Sequence, residues 1–326
     1  MNILGIETSC DETAAAVVQN GRTVLSNIVV TSLKEHAQYG GIIPEIASRR
    51  QLECISAICR QSLKEAKLRL DGIDAVAVTH QPGLIGSLLV GISFARALSY
   101  AINKPLVYVD HIKAHVYANF LETGKSEHTP PQLPAIALVV SGGHTNLYKI
   151  KSFSHFQQLG QTLDDAAGEA FDKVAKILEL GYPGGPAIDR SAKQGKRCAT
   201  QFKSAALPGS YNFSFSGIKT AVLYHCREHK TRKDFSVNDV AYAFQESITS
   251  ILVKKCIEAC LKHKTRTLLI GGGVAANSSL RRKLDDAACA HEIKVYMPPF
   301  SLCTDNAAMI AGLGYQCLNT RSSGHV

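Results

Sequence analysis

The chain has 326 residues, 45% hydrophobic and 19% charged, with 25 glycines and 11 prolines. That length suits about two domains, and the composition excludes a largely disordered, collagenous or coiled-coil chain. Thirty-six basic against 27 acidic side chains leave a net charge of +9, which favours a polyanionic partner, while the lack of Trp disfavours a broad base-stacking platform.

Residues 2–9, 13–19 and 22–30 read as three strands separated by the turn-forming Cys10-Asp11-Glu12 and Asn20-Gly21. A helix follows over residues 44–67, with Pro44 at its start. The strand AVAVTH, a helix over 85–102, the strand LVYVD and a helix carrying His111 and His115 complete the first half. Pro82-Gly83 divides the charge-free stretch 75–95 into a short strand and a small-residue helix, neither expected to span a membrane. Residues 122–134, polar and Pro-rich, mark a linker.

The second half restarts the grammar. PAIALVVSGG and HTNLYKI form a hairpin, and Thr162 with Asp165 is capping-box-like, opening a helix that runs to Gly181. After YPGGP, a long helix begins near Ser236, with Val240, Phe244, Ile248, Ile251 and Leu252 at helical spacing. The strand RTLLIGGG, a helix from Asn277, the strand KVYMP and a final helix from about Asp305 close the chain. The matching order predicts two similar α/β lobes with a cleft between them. Their expected limits are 1–130, joined by the last helix at 305–326, and 131–304. Ten cysteines without a C-x-x-C pair, the closest being Cys54/Cys59 and Cys256/Cys260, read as reduced thiols of a cytoplasmic protein. MNILGIETSC lacks signal-peptide order.

Three tight turns carry the chemistry: Thr8-Ser9-Cys10-Asp11-Glu12-Thr13, Ser141-Gly142-Gly143-His144-Thr145, and the GGGVAAN run ending at Asn277. Glycine lets backbone N–H groups approach a phosphate, and hydroxyls add donors. None fits a P-loop or a dinucleotide fingerprint. His111 and His115 are four apart, so on a helix they share a face, the spacing of a two-His metal site or of two surface histidines. Ile112 stands where a metalloprotease needs Glu, and Asp305 is a plausible third donor. The segment DDAAGEAFDK has two readings. Its acids could pair along the helix, Asp172 with Lys176 and Asp165 four before Glu169, or a carboxylate there could hold ribose hydroxyls. Basic runs at 193–197, 227–233 and 281–283 could contact phosphates or simply face solvent.

ETSCDET, HIKAH, SGGHT, DDAAGEAFDK, YPGGP, FSFSGIKT, GGGVAANSSLR and CTDNAAMIA occur in this order over residues 5–311. Together they closely resemble the bacterial TsaD family, tRNA threonylcarbamoyladenosine transferases formerly called glycoproteases. The resemblance implies the two-lobed actin-like (ASKHA, RNase H-like) fold. It implies transfer of a threonylcarbamoyl group from threonylcarbamoyl-AMP to N6 of the adenosine beside the anticodon, in tRNAs reading codons that begin with A, with release of AMP. It further implies one divalent metal per subunit, Fe2+ or else Zn2+, and TsaB-like and TsaE-like partners, with no membrane. By resemblance His111, His115 and Asp305 are the metal ligands. Val139, Val140, Ser141, Gly142, Gly143, Asp172, Gly185, Asp189 and Asn277 match nucleotide and substrate positions. Lys113, Asp110 and His80-Gln81 depart from the family's pattern, and the tail after Gly314 is short. The activated donor needs no covalent nucleophile, but the delocalised N6 amine must be oriented and charge at the carbonyl and phosphate stabilised. Asp11 and Glu12 are candidate general bases. The rivals are a small-molecule kinase or ATPase of the same fold, which has no use for the three metal residues, and a non-catalytic scaffold.

Overall fold

Runs of small and β-branched residues with both faces covered build the strands. In the computed structural model, which describes residues 1–124, 129–196, 201–204 and 207–322, β1 (Asn2–Glu7), β2 (Glu12–Gln19) and β3 (Thr23–Thr31) pair antiparallel in sequence. The short α1 (Leu33–Ala37) leads to α2 (Pro44–Glu65), where Pro44 occupies the first turn and its missing N–H costs nothing. β4 (Ala75–Gln81) then joins β1 in parallel, α3 (Ile85–Ile102) crosses over, β5 (Leu106–Asp110) joins β4, and α4 (His111–Tyr117) follows directly. The sheet order is β3-β2-β1-β4-β5.

Beyond the proline-rich stretch, of which residues 125–128 lie outside the described residues, the pattern repeats. β6 (Ala135–Val140), β7 (Thr145–Ser152) and β8 (His155–Gln161) pair antiparallel. Four helices follow, α5 (Ala167–Ile177), α6 (Gly184–Ala192), α7 (Ser216–His229) and α8 (Val237–Lys262). β9 (Thr267–Gly271) joins β6 in parallel, and after α9 (Ser278–Cys289) β10 (Lys294–Tyr296) joins β9. Read from the other edge, this second sheet is β8-β7-β6-β9-β10, the topology of the first.

The closing helix α10 (Ala307–Ser322) belongs to the first unit, which comprises Met1–Pro131 and Pro298–Val326; the second is Gln132–Met297. Ala307, Ala308, Met309, Ile310 and Ala311 are all buried. The approach to β1 is so close that a Cβ on Gly5 would collide with the Ala307 carbonyl.

Four elements depart from the sequence reading. α1, β8, α6 and α7 were not expected, being respectively only five residues long, polar, Gly/Pro-rich and overlapped by a basic run. The capping box at Thr162 does not form: Thr162 Oγ1 donates to the Asp165 carbonyl (2.7 Å) and closes the preceding turn. α5 instead starts after Ala166, whose N–H donates to Glu169 (3.4 Å). α3, at 18 residues, is long and apolar enough to cross a membrane by length and composition, contrary to expectation. Its Ser87, Leu88, Gly91 and Ala95 are buried within the unit, however, and Arg96 is exposed. Among the described residues the nine cysteines form no disulfide.

Candidate active site

Both histidines of HIKAH are buried on one face of α4, a helix held at its start by Asp110, which accepts the Lys113 N–H (2.9 Å). Their rings meet edge to face, 4.6 Å between centroids. Nε2 of His115 and of His111 lie 3.1 and 3.5 Å from Asp305 Oδ1. The three residues each offer a ligand atom, all within 4.8 Å of one another. At the start of α10 Asn306 accepts the Met309 N–H (3.1 Å) and caps the helix.

Behind His111 sits Glu7, fully buried at the end of β1, with Oε2 3.0 Å from His111 Nδ1. Burial alone would lower the His111 pKa, but the Asp305 and Glu7 carboxylates outweigh it and raise it to about 9. The hairpin tip between β1 and β2 adds Asp11 and Glu12. Gln51 Nε2 grips it through the carbonyls of Cys10 (2.9 Å) and Glu12 (3.1 Å). Ser32 Oγ donates to the Asp11 carbonyl (2.8 Å) and is itself held by buried His36. Burial, then the charges of Asp305 and Asp11, pushes Glu12 well above the carboxylate range. Burial and the Asp305, Asp11 and Glu12 charges likewise raise the Cys10 thiol. This accumulation of negative charge around two imidazoles fits a cation. Two nitrogens and one carboxylate, with no thiolate among them, suit Fe2+ or Zn2+ with coordination positions left over.

In the second unit Val139 and Val140 end β6, fully buried, and the turn through Ser141, Gly142 and Gly143 follows. The Ser141 N–H is taken by the His144 carbonyl (2.8 Å), whereas those of Gly142 and Gly143 donate to no described group. Both glycines are exposed, with open space where a Cβ would stand. Around them the backbones crowd: a Cβ on Gly168 would meet the Ser141 carbonyl at 2.5 Å, and one on Gly272, at φ +91°, would strike the Val140 carbonyl. The SGGHT turn, the start of α5 and the GGGVAAN run therefore pack as one cluster. Asn277 caps α9 through Leu280 N–H (3.0 Å) and donates to Gln245 (2.7 Å). Asp189 accepts Ser278 Oγ (2.8 Å) and pairs with Lys193 (2.8 Å); Gly185, one turn earlier on α6, has open space at its Cβ position.

The acidic segment pairs partly within itself and partly with other motifs. Asp164 accepts Ser214 Oγ (2.6 Å), Phe215 N–H (2.7 Å) and Ser216 Oγ (2.8 Å), capping α7 from a distance. Asp165 binds Lys173 and Lys219, each at 2.7 Å, and Glu169 also turns to Lys173 (2.8 Å). Asp172 accepts the Gly184 N–H at 2.7 Å. One decapeptide thus fastens FSFSGIKT and YPGGP to α5.

One lysine of each basic run is held in an ion pair. Lys193 pairs with Asp189, Lys230 with Glu179 (2.7 Å) and Lys283 with Glu246 (3.0 Å), while Arg197 lies outside the described residues. Sequence reasoning missed a cavity of about 760 Å3 in the second unit, which touches none of the expected site residues. Lys203, Lys254, Lys255 and Lys262 line it, against a single carboxylate, Glu258. Burial lowers the Lys255 pKa, and Lys262 Nζ lies over Tyr211, 5.5 Å from the ring centre. Period-based reading hides such lysines, because they sit on the outer face of a long helix.

A twice-used five-stranded topology defines a protein of the actin-like α/β class, and solved structures agree. HypF of T. kodakarensis superposes with a TM-score of 0.64 at 14% identity, over 98% of this chain and 48% of that one. Component A of the Acidaminococcus fermentans (R)-2-hydroxyglutaryl-CoA dehydratase gives 0.55 at 14% identity, over 98% and 99%. The profile of the family described as "TsaD: tRNA N6-adenosine threonylcarbamoyltransferase" matches residues 23–312, and the chain belongs to that family. The tRNA N6-adenosine threonylcarbamoyltransferase of Caldicellulosiruptor saccharolyticus is 52% identical over 97% of this chain and 92% of its own length. That of Geobacter sp. is 51% identical over 95% and 90%. The protein is accordingly a transferase that modifies tRNA, and the kinase reading is not favoured.

Proposed function

We propose that the donor is threonylcarbamoyl-AMP and that AMP leaves as the N6 amine of the adenosine beside the anticodon attacks, in tRNAs reading codons that begin with A. The observation that carries this is the pair of exposed, undonated N–H groups at Gly142 and Gly143, on a turn against which the Gly168 and Gly272 backbones pack closely. Such a turn suits a phosphate leaving group. Val139 and Val140 stiffen its root, and Asp172, Gly185, Asp189 and Asn277 are assigned to the adenylate. His111, His115 and Asp305 would hold one divalent metal, Fe2+ before Zn2+. When bound, that metal supplies Lewis acidity toward the threonylcarbamoyl carbonyl. Asp11 or Glu12, fixed by Gln51 and Ser32, accepts the proton released by the amine.

The lysine-lined cavity is the proposed contact for tRNA phosphates. A TsaB-like protein is the proposed partner of α2 and α3. Leu52, Ile85, Leu89 and Tyr100 are 70%, 81%, 59% and 90% exposed, an apolar row a soluble partner would cover. A TsaE-like protein completes the set. The deciding experiment is mass spectrometry of nucleosides from tRNA incubated with the protein, its partners, ATP, threonine and bicarbonate. The modified nucleoside should form, and preformed threonylcarbamoyl-AMP should replace the three small substrates. Failure of the preformed adenylate to serve would reject the donor.

A further inference from the structure

Three hydrogen-bond donors converge on the Glu7 carboxylate, which is fully buried. The Ser9 backbone N–H reaches Oε1 (2.5 Å), while Thr79 Oγ1 (2.5 Å) and the Nδ1 edge of His111 (3.0 Å) reach Oε2. Ser9 Oγ, 3.2 Å from the same ring nitrogen, can share its proton as a second acceptor. A carboxylate is acceptor-only, so it satisfies all three together and compels His111 to present a proton on Nδ1. The opposite ring nitrogen, Nε2, is then the edge left to ligate an ion once its own proton is displaced, and it is the edge turned toward Asp305. His115 has no such clamp, its Nδ1 being buried without a partner.

We propose that Glu7 is a positioning residue of the metal centre: by accepting the His111 Nδ1 proton it fixes the tautomer and ring angle that aim Nε2 at the ion. The proposal rests on the metal reading of His111, His115 and Asp305. An imidazole whose far nitrogen donates to a carboxylate is a better-oriented and more basic ligand, and loss of such a partner weakens metal binding about 10- to 100-fold. Glu7→Gln is nearly isosteric, yet its amide cannot accept from both sides. With its oxygen toward Ser9 its NH2 confronts His111 and favours the Nε2–H tautomer, which cannot ligate through Nε2; turned round, the NH2 confronts the Ser9 N–H.

The test is Zn2+ affinity of the purified full chain, by competition with a chromophoric chelator, for wild type, Glu7→Gln, Glu7→Asp and Asp305→Ala, with circular dichroism and melting on each. We expect Glu7→Gln to bind Zn2+ about 10- to 100-fold more weakly and Glu7→Asp to recover part of the loss. Wild-type affinity in folded Glu7→Gln, with metal lost from Asp305→Ala, overturns the role of Glu7 alone. Metal retained by both variants overturns the metal reading itself. A second measurement needs no variant: 15N–1H imidazole spectra of the Zn2+-loaded wild type should show His111 protonated at Nδ1. Protonation at Nε2 refutes the proposal even where the Glu7 variants fail to fold.

Discussion

Replacing Asp172 by Ala probes two roles at once. Its Oδ1 accepts the N–H of Gly184, the first residue of α6, at 2.7 Å, and a Cβ on Gly184 would meet the Asp172 backbone, so no side chain could refill the joint. A hydrogen bond to a charged acceptor contributes about 1.5–3 kcal/mol. For a unit of this size, losing about 2 kcal/mol should lower the melting temperature by about 4–8 °C. If Asp172 also binds the adenylate, AMP affinity should fall about ten- to hundredfold. Asp172→Asn keeps an acceptor for Gly184 while losing the charge, so it should hold most of the stability yet still weaken AMP. Differential scanning calorimetry and titration calorimetry on both variants read the two effects separately. A melting loss with unchanged AMP affinity would leave Asp172 as a strut for α6 only. No change in either would refute the reasoning altogether.

Asp305→Ala should lose metal more than about 100-fold, beyond the cost of an outer-shell change, and abolish transfer while α10 stays capped by Asn306; elemental analysis showing full metal would contradict this. Because Lys254 and Lys262 line the cavity against a lone carboxylate, the pair Lys254→Glu and Lys262→Glu should weaken tRNA binding and flatten its decline with salt. An unaltered salt slope would clear the cavity of that role. Asp164 and Asp165 both lie below the ordinary carboxylate range: burial opposes this, but the Ser214, Phe215 and Ser216 donors outweigh it at Asp164, and Lys173 and Lys219 at Asp165. Groups depressed in the folded state contribute stability above the unfolded value of about 3.9 and lose it as pH falls through the folded value. Melting curves between pH 7 and 3 should therefore fall less steeply for Asp164→Asn than for wild type, and parallel curves would show that the cap does not titrate as argued.

Elements with an undiluted period were legible from the residues: β6 is an unbroken apolar run, and α8 begins at Ser236, which accepts the Asp239 N–H. β8 was not, because HFQQLGQ is an edge strand with little to bury, and α6 was not, because GGPAIDRSA is helical only once Asp172 holds its first N–H. The spacing of His111 and His115 suggested a shared face, and the fold brings them together with Asp305. Glu7 gave no local signal. Its partners Thr79 and His111 stand 72 and 104 residues away, and only the parallel sheet joins them. The acidic decapeptide was legible only in part for the same reason: helical spacing offers near partners such as Lys173 for Glu169, whereas Ser214, Lys219 and Gly184 lie in other motifs.

The return of α10 to the first sheet has a consequence for biosynthesis. The ribosome makes all five strands of the first sheet before it reaches Gln132–Met297, yet the first unit is complete only after that stretch, when α10 follows. The earlier-made sheet must wait with Gly5 and its neighbours uncovered until Ala307 and Ala311 emerge. Asp305 is released with them. The nascent chain thus carries its histidines without their carboxylate while the whole second unit is made, and the three-residue cluster can take up an ion only once Asp305 has emerged.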